Sequence, residues 1–206
     1  MLKSNFIINL FAGKSLASSG ISFLRKMSGT AVEPKKRNIE IKARIANDAG
    51  YAKRVEIAKT LTKTAGEVLK QRDVFYKVSN GRLKLRVQDG TAMLIQYGRP
   101  DVSGPKLSEF DILDIAEPEK LDRMLSNSLG VIGEVKKSRY LFLHEQTRIH
   151  LDKVDGLGTF LEFEVCLRPE QTIEDGTIIA NDLMKLFEIN DTDLMTGAYM
   201  DELLQK

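Results

Sequence analysis

With one cysteine, two histidines and no tryptophan in 206 residues, the sequence lacks the side chains on which several classes of protein depend. Cys166 alone can form no internal disulfide and leaves no thiolate set for zinc, which points to a reducing compartment or to indifference to redox. It follows the run FLEFEV and reads as a small filler residue. No apolar run reaches the roughly 20 residues of a membrane-spanning helix, so no membrane partner is expected. A Walker-type phosphate loop is missing as well, because AGKS at residues 12–15 lacks the first glycine. DKVDGLG carries Asp152 and Asp155 but opens no calcium loop that closes on a glutamate.

Acid is also absent from the start of the chain. Before Glu33 there are Lys3, Lys14, Arg25 and Lys26, many serines, and no Asp or Glu. That is the composition of a mitochondrial transit peptide, which would make the protein mitochondrial and otherwise cytoplasmic. A secretory signal competes, but its apolar centre FIINLF is short and interrupted by Asn9; a disordered tail competes too, and Met27 offers a second start. The expected organisation is a tail over residues 1–35 and one folded domain over 36–206. Loss of the four leading cations turns 31 basic against 29 acidic side chains into 27 against 29, a net charge of −2 in place of +2. Nucleic acid, which needs a basic face on the mature domain, is therefore not an expected partner.

From residue 38 the chain is rich in period-two alternation. In RNIEIKARI, residues 37–45, Asn38, Glu40, Lys42 and Arg44 share one face of an extended strand, and Ile39, Ile41, Ala43 and Ile45 the other. GRLKLRV sets Arg82, Lys84 and Arg86 against Leu83, Leu85 and Val87. TRIHLD sets Arg148, His150 and Asp152 against Ile149 and Leu151, and FLEFEV sets Glu162 and Glu164 against Leu161, Phe163 and Val165. DVFYKV and GRLKLRV, joined at Ser79-Asn80-Gly81, read as a hairpin, and further strands are expected in TAMLIQYGRP, KLSEFDILDI and SRYLFLHEQ. Helices are expected over 47–62, capped by Asn47 or Asp48, over 117–130, ending at Gly130, and in DGTIIANDLMKLFEI. About eight strands in hairpin-like succession favour an antiparallel sheet or closed barrel.

One sheet face thus collects Glu40, Asp152, Glu162 and Glu164 with Lys42, Arg44, Lys84, Arg86 and Arg148. Carboxylate oxygens suit Mg2+ or Mn2+, and Lys with Arg suits a polyphosphate. Any antiparallel strand in water alternates in this way, so the pattern leaves both a cavity wall and a solvated face open.

The residues carry a resemblance that favours the cavity. The chain resembles the CYTH superfamily, which joins class IV adenylyl cyclases and thiamine triphosphatases and opens on an E-x-E-x-K strand. Here Glu40 and Lys42 match, and Asn38 stands where the first Glu is expected. Further blocks follow in the family order: GRLKLR with Lys84 and Arg86, KKSRY with Lys137 and Arg139, RIHLDKVDGLGTFLEFE with Asp152, Gly158, Glu162 and Glu164, and the closing AYMDELL. A second departure lies in LIQYGRP, where thiamine triphosphatase-like members carry a lysine near Gln96 and Arg99 is the nearby substitute. The resemblance implies an α+β fold, a closed eight-stranded antiparallel β-barrel (the triphosphate tunnel) with helices packed outside. Lys42, Arg44, Lys84, Arg86, Lys137, Arg139 and Arg148 would bind a small triphosphate, and Glu40, Asp152, Glu162 and Glu164 would hold Mg2+ or Mn2+. The expected activity is hydrolysis, with inorganic triphosphate preferred to ATP, because no stretch marks the adenine pocket that cyclisation needs. A class IV-type cyclase making cyclic AMP and a non-catalytic polyphosphate or nucleotide binder are the alternatives. His150, between Arg148 and Asp152, is a weaker candidate for proton transfer, and His144 has no partner visible in the sequence.

Overall fold

The computed structural model describes residues 34–206, so the expected transit peptide lies outside the described residues. Each alternating run forms a strand: β1 (Lys36–Ile45), β2 (Glu67–Tyr76), β3 (Arg82–Gln88), β4 (Thr91–Gly98), β5 (Lys106–Asp114), β6 (Val131–His144), β7 (Thr147–Val154) and β8 (Gly158–Cys166). They close into an antiparallel barrel in the order β1-β5-β4-β3-β2-β6-β7-β8, with β8 returning to β1. Two strands run longer than their alternation suggested. β2 begins six residues before Asp73, and β6 begins at Val131 rather than at Ser138. Neither extension alternates strictly between apolar and polar residues, and pairing with the neighbouring strand defines both.

The helices are α1 (Asp48–Thr62), α2 (Pro118–Leu129), α3 (Ile173–Leu186) and α4 (Tyr199–Leu203). Asn47 caps α1 by accepting from the Gly50 N–H at 2.8 Å, and Thr172 with Asp175 forms a capping box on α3. The turn into β3 needs Gly81, whose φ is +65° and where a Cβ would stand 2.5 Å from the Tyr97 carbonyl oxygen.

Apolar alternates of β1, β7 and β8 point outward. Ile39, Ile41, Ile149, Leu151, Leu161, Phe163 and Val165 are all fully buried, packed with Ala58 of α1 and with Ala180 and Leu183 of α3. Each large side chain so buried contributes about 1.5–3 kcal/mol, so the main core lies outside the barrel, between its wall and the helices. α2 covers the outer face of β2 and β3 through Leu121 and Leu125 against Val74, Tyr76 and Leu85. The C-terminal segment closes one end of the barrel: Met195, Tyr199 and Met200 pack on Phe75, Val135, Val154 and Phe160. The Met195 N–H donates to the Lys42 carbonyl at 2.8 Å, extending the sheet where β5 has left β1.

Candidate functional site

With the apolar alternates turned out, the charged ones have nowhere to go but the barrel interior. An eight-stranded barrel is just wide enough to be filled by side chains or to hold one small ligand. Among the described residues, the inner wall brings together the cations Lys42, Lys84, Arg86, Arg99, Lys106, Lys137, Arg139 and Arg148 and the fewer carboxylates Glu40, Asp73, Asp152, Glu162 and Glu164. Apolar packing would often be at least as stable as buried ion pairs, so such an interior is explained by a ligand rather than by folding. The surplus of positive charge suits an anion.

Three groupings organise the wall. Around Glu162, Lys42 Nζ lies 2.9 Å from Oε1, Arg139 donates to Oε2 at 2.7 Å, and His150 Nδ1 is 3.4 Å from Oε2. Glu164 is held by Arg148 at 2.7 Å. Burial tends to raise both acids, but Lys42 beside Glu162 holds it well below its usual value, and Arg148 takes Glu164 down to about 2. His150 is lowered by burial and then by Arg139, so the ring is neutral at pH 7 and its contact with Glu162 is a hydrogen bond rather than an ion pair. Ligand atoms of His150, Glu162 and Glu164 all lie within 4.8 Å of one another.

In the second grouping Arg139 binds Asp152 through two parallel hydrogen bonds of 2.7 and 2.6 Å, and the Tyr199 hydroxyl donates to Asp152 at 2.9 Å. The plugging segment thereby reaches the charged interior, with Lys42 Nζ 4.0 Å from the centre of the Tyr199 ring. The third grouping centres on Asp73. Arg86 donates to it twice at 2.7 Å, and Lys84 and Lys137 each donate at 3.2 Å. Burial takes Lys84 down to about 8 and Lys137 to about 7, with Arg86 also lowering Lys84 and Asp73 opposing the change in both.

A divalent cation fits this wall on two observations. Glu40 and Glu164 stand directly opposite each other on β1 and β8, an arrangement of like charges that costs stability unless a cation lies between them. Burial, then Glu162 and Glu164, raises Glu40, as expected for a carboxylate crowded by its own kind. Asn38 is 2% exposed, and its Oδ1 has no hydrogen-bond partner among the described residues, which leaves a neutral oxygen donor open on the same strand face.

Lys42, Lys84, Arg86, Lys137, Arg139, Arg148, Glu40, Asp152, Glu162 and Glu164 are thus brought into one interior. Arg44 is not: its side chain is 45% exposed and bonds Glu202 at 2.7 Å, at the end closed by the C-terminal segment. Asp152 has both oxygens taken up by its neighbours, Oδ1 by Arg139 and Oδ2 by Arg139 and Tyr199. Four wall residues went unnoticed or unplaced in the sequence. Arg99 turns inward and donates to Glu40 at 2.9 Å through Nη1, while its buried Nε and Nη2 have no hydrogen-bond acceptor among the described residues. Lys106 donates to the carbonyls of Val102, Met195 and Thr196, tying down the plugging segment. Tyr199 lies in the closing AYMDELL block, but nothing in that short stretch assigned it a place in the wall. Asp73 did give one, since the hairpin register that pairs Tyr76 with Leu83 also sets Asp73 opposite Arg86.

The family model of the CYTH domain matches residues 36–199. Among solved structures, the PH1012 protein from Pyrococcus horikoshii OT3 is 20% identical with a TM-score of 0.67, covering 80% of this chain and 98% of its own. A proposed adenylate cyclase from Vibrio parahaemolyticus is 21% identical, TM-score 0.66, over 84% of this chain and all of its own. HpAC1 from Hippeastrum, a proposed adenylyl cyclase described as having a dominant triphosphatase activity, is 19% identical, TM-score 0.53, over 82% and 95%. At these identities the likeness establishes the fold alone. None of the curated protein sequences matches the chain.

Proposed function

The chain belongs to the CYTH family, and from its barrel interior we propose that it hydrolyses a small triphosphate with the help of a divalent cation. The observation that carries the reading is the surplus of buried cations inside a closed barrel, beside a carboxylate set and with the C-terminal segment packed across one end. A triphosphate carries several negative charges, and a nucleophile approaches phosphorus only once these are partly neutralised. Lys42, Lys84, Arg86, Lys137, Arg139 and Arg148 are the residues to do this. Arg99 joins them, because a buried guanidinium with two open donor atoms is suited to a phosphoryl oxygen.

Glu162, Glu164 and Glu40 fit as charged ligands for Mg2+ or Mn2+, with His150 and Asn38 as neutral donors; the ion supplies further charge neutralisation where phosphoryl charge develops. Asp152 acts through Arg139, whose guanidinium it fixes by a two-point contact. Attack by water on the terminal phosphorus, with cleavage of its bridging oxygen bond, needs only this clamp. Cyclisation of ATP needs in addition a site that folds the ribose back onto the α-phosphorus.

The test is to incubate the protein with Mg2+ or Mn2+ and, in turn, inorganic triphosphate, thiamine triphosphate and ATP, and to identify products. Orthophosphate release, fastest from inorganic triphosphate, is the expected result. Cyclic AMP and pyrophosphate from ATP without orthophosphate would establish the cyclase, and binding without turnover would establish a binder.

A further inference from the structure

Within the cation surplus, the Asp73 carboxylate has surroundings unlike those of the other interior acids. Lys84 Nζ at 3.2 Å, Arg86 Nη2 at 2.7 Å and Lys137 Nζ at 3.2 Å all converge on one atom, Oδ2, while Arg86 Nε takes Oδ1 at 2.7 Å. Glu40, Glu162 and Glu164 crowd one another; Asp73 meets only cations, and its side chain is 2% exposed. Three cationic donors on a single anionic oxygen is the environment of a phosphoryl oxygen, and it exceeds what a folded chain needs to satisfy one carboxylate. The cations come from two strands, β3 and β6, and Asp73 lies on β2 between them.

We propose that Asp73 is a positioning residue that stands in for substrate phosphate, holding Lys84, Arg86 and Lys137 together until substrate arrives and competing with the substrate for them. This rests on the triphosphate reading of the site. Without an internal anion, mutual repulsion among three buried cations would splay the side chains or discharge the lysines, and an entering substrate would have to gather them again. With it, the cations stay converged and the lysines keep more of their charge, since Asp73 opposes the effect of burial on both, and the polyphosphate displaces one carboxylate. The competition also weakens the hold on phosphate-containing products, which favours their release.

Gathering the cations and competing for them act on affinity in opposite directions. A close charge contact outweighs the ordering of three side chains already confined to the barrel wall, so the consequence of removing Asp73 is a change opposite in sign to that of an ordinary structural lesion. Asp73→Asn removes the competitor but keeps the shape, so the full-length protein in EDTA should bind inorganic triphosphate and pyrophosphate about ten- to a hundredfold more tightly by calorimetry, the range expected when one close charge contact is altered. With metal, KM and kcat should fall together as product is retained, and Asp73→Glu, which restores the charge, should return both toward wild type. Weaker anion binding in Asp73→Asn, or a raised KM, would overturn the proposal and leave Asp73 as a simple brace. Should Asp73→Asn not fold alone, pyrophosphate should restore a cooperative melt, and the double variant Asp73→Asn/Lys137→Met, with one cation fewer, should fold and still bind pyrophosphate more tightly than wild type. Failure of both would equally overturn it. Because binding is measured without turnover, absence of hydrolysis in the wild type would reject the triphosphatase reading while leaving this test standing.

Discussion

Arg139 bridges two buried carboxylates, Asp152 and Glu162, and replacing it by Met tests whether the interior is held by charge. Its side chain is 4% exposed and donates at 2.7 and 2.6 Å to Asp152 and at 2.7 Å to Glu162. In Arg139→Met, Glu162 keeps Lys42 at 2.9 Å, but Asp152 keeps only the Tyr199 hydroxyl. The cost is therefore that of one stranded buried carboxylate, about 3–5 kcal/mol, or a Tm lower by roughly 6–20 °C for a domain of this size. The pH dependence has a definite sign. Burial raises Asp152, but in the wild type Arg139 holds it below its ordinary 3.8, so the stabilisation is present above that value and is lost as pH falls. In the variant burial acts unopposed by Arg139, Asp152 is raised, and protonation relieves it, so stability recovers as pH falls. Urea unfolding of both proteins at neutral pH and near pH 4.5 should show a gap that narrows with acid. A gap under about 1 kcal/mol at neutral pH, or one that widens on acidification, would refute the reasoning.

Glu162→Gln and Glu164→Gln should each abolish metal-dependent turnover and weaken Mn2+ binding in a calorimeter while the fold persists, since each removes a ligand charge without changing shape; wild-type rates in both would remove the metal assignment. Lys84→Ala and Arg86→Ala should each slow hydrolysis at least ~10²-fold by loss of transition-state charge stabilisation, and effects below threefold would exclude them from the clamp. Activity should decline as pH rises through about 7 to about 8, the values to which burial has drawn Lys137 and Lys84, because each is a clamp charge only while protonated; a rate still rising across that window would contradict their role. Residues 1–26 fused to a fluorescent protein should direct it to mitochondria, and a diffuse cytosolic signal would reject the transit peptide.

The barrel and most of its wall were legible because strand geometry ties side-chain direction to sequence parity: once Ile39 and Ile41 face a helix, Glu40 and Lys42 must face the lumen. Parity gives direction but not height along a tilted strand. Arg44 therefore shared a face with Lys42 and yet bonds Glu202 at the closed end. Partnership is legible only where a tight turn fixes register, as the Ser79-Asn80-Gly81 hairpin does for Asp73 and Arg86. Contacts made across the lumen or by the C-terminal segment depend on closure of the whole barrel, which no local pattern encodes; Arg99 on Glu40, 59 residues apart, and Tyr199 on Asp152, 47 apart, are of that kind. The same distinction separates what the wall does from how it is arranged. Its composition, a surplus of cations beside clustered acids, was visible as residue types and points to a polyanion with a metal. Its arrangement, in which nearly every cation is already engaged by an internal carboxylate, emerges only from the closed barrel, and on the proposed function a substrate would bind by exchanging ion pairs rather than by filling an open charge.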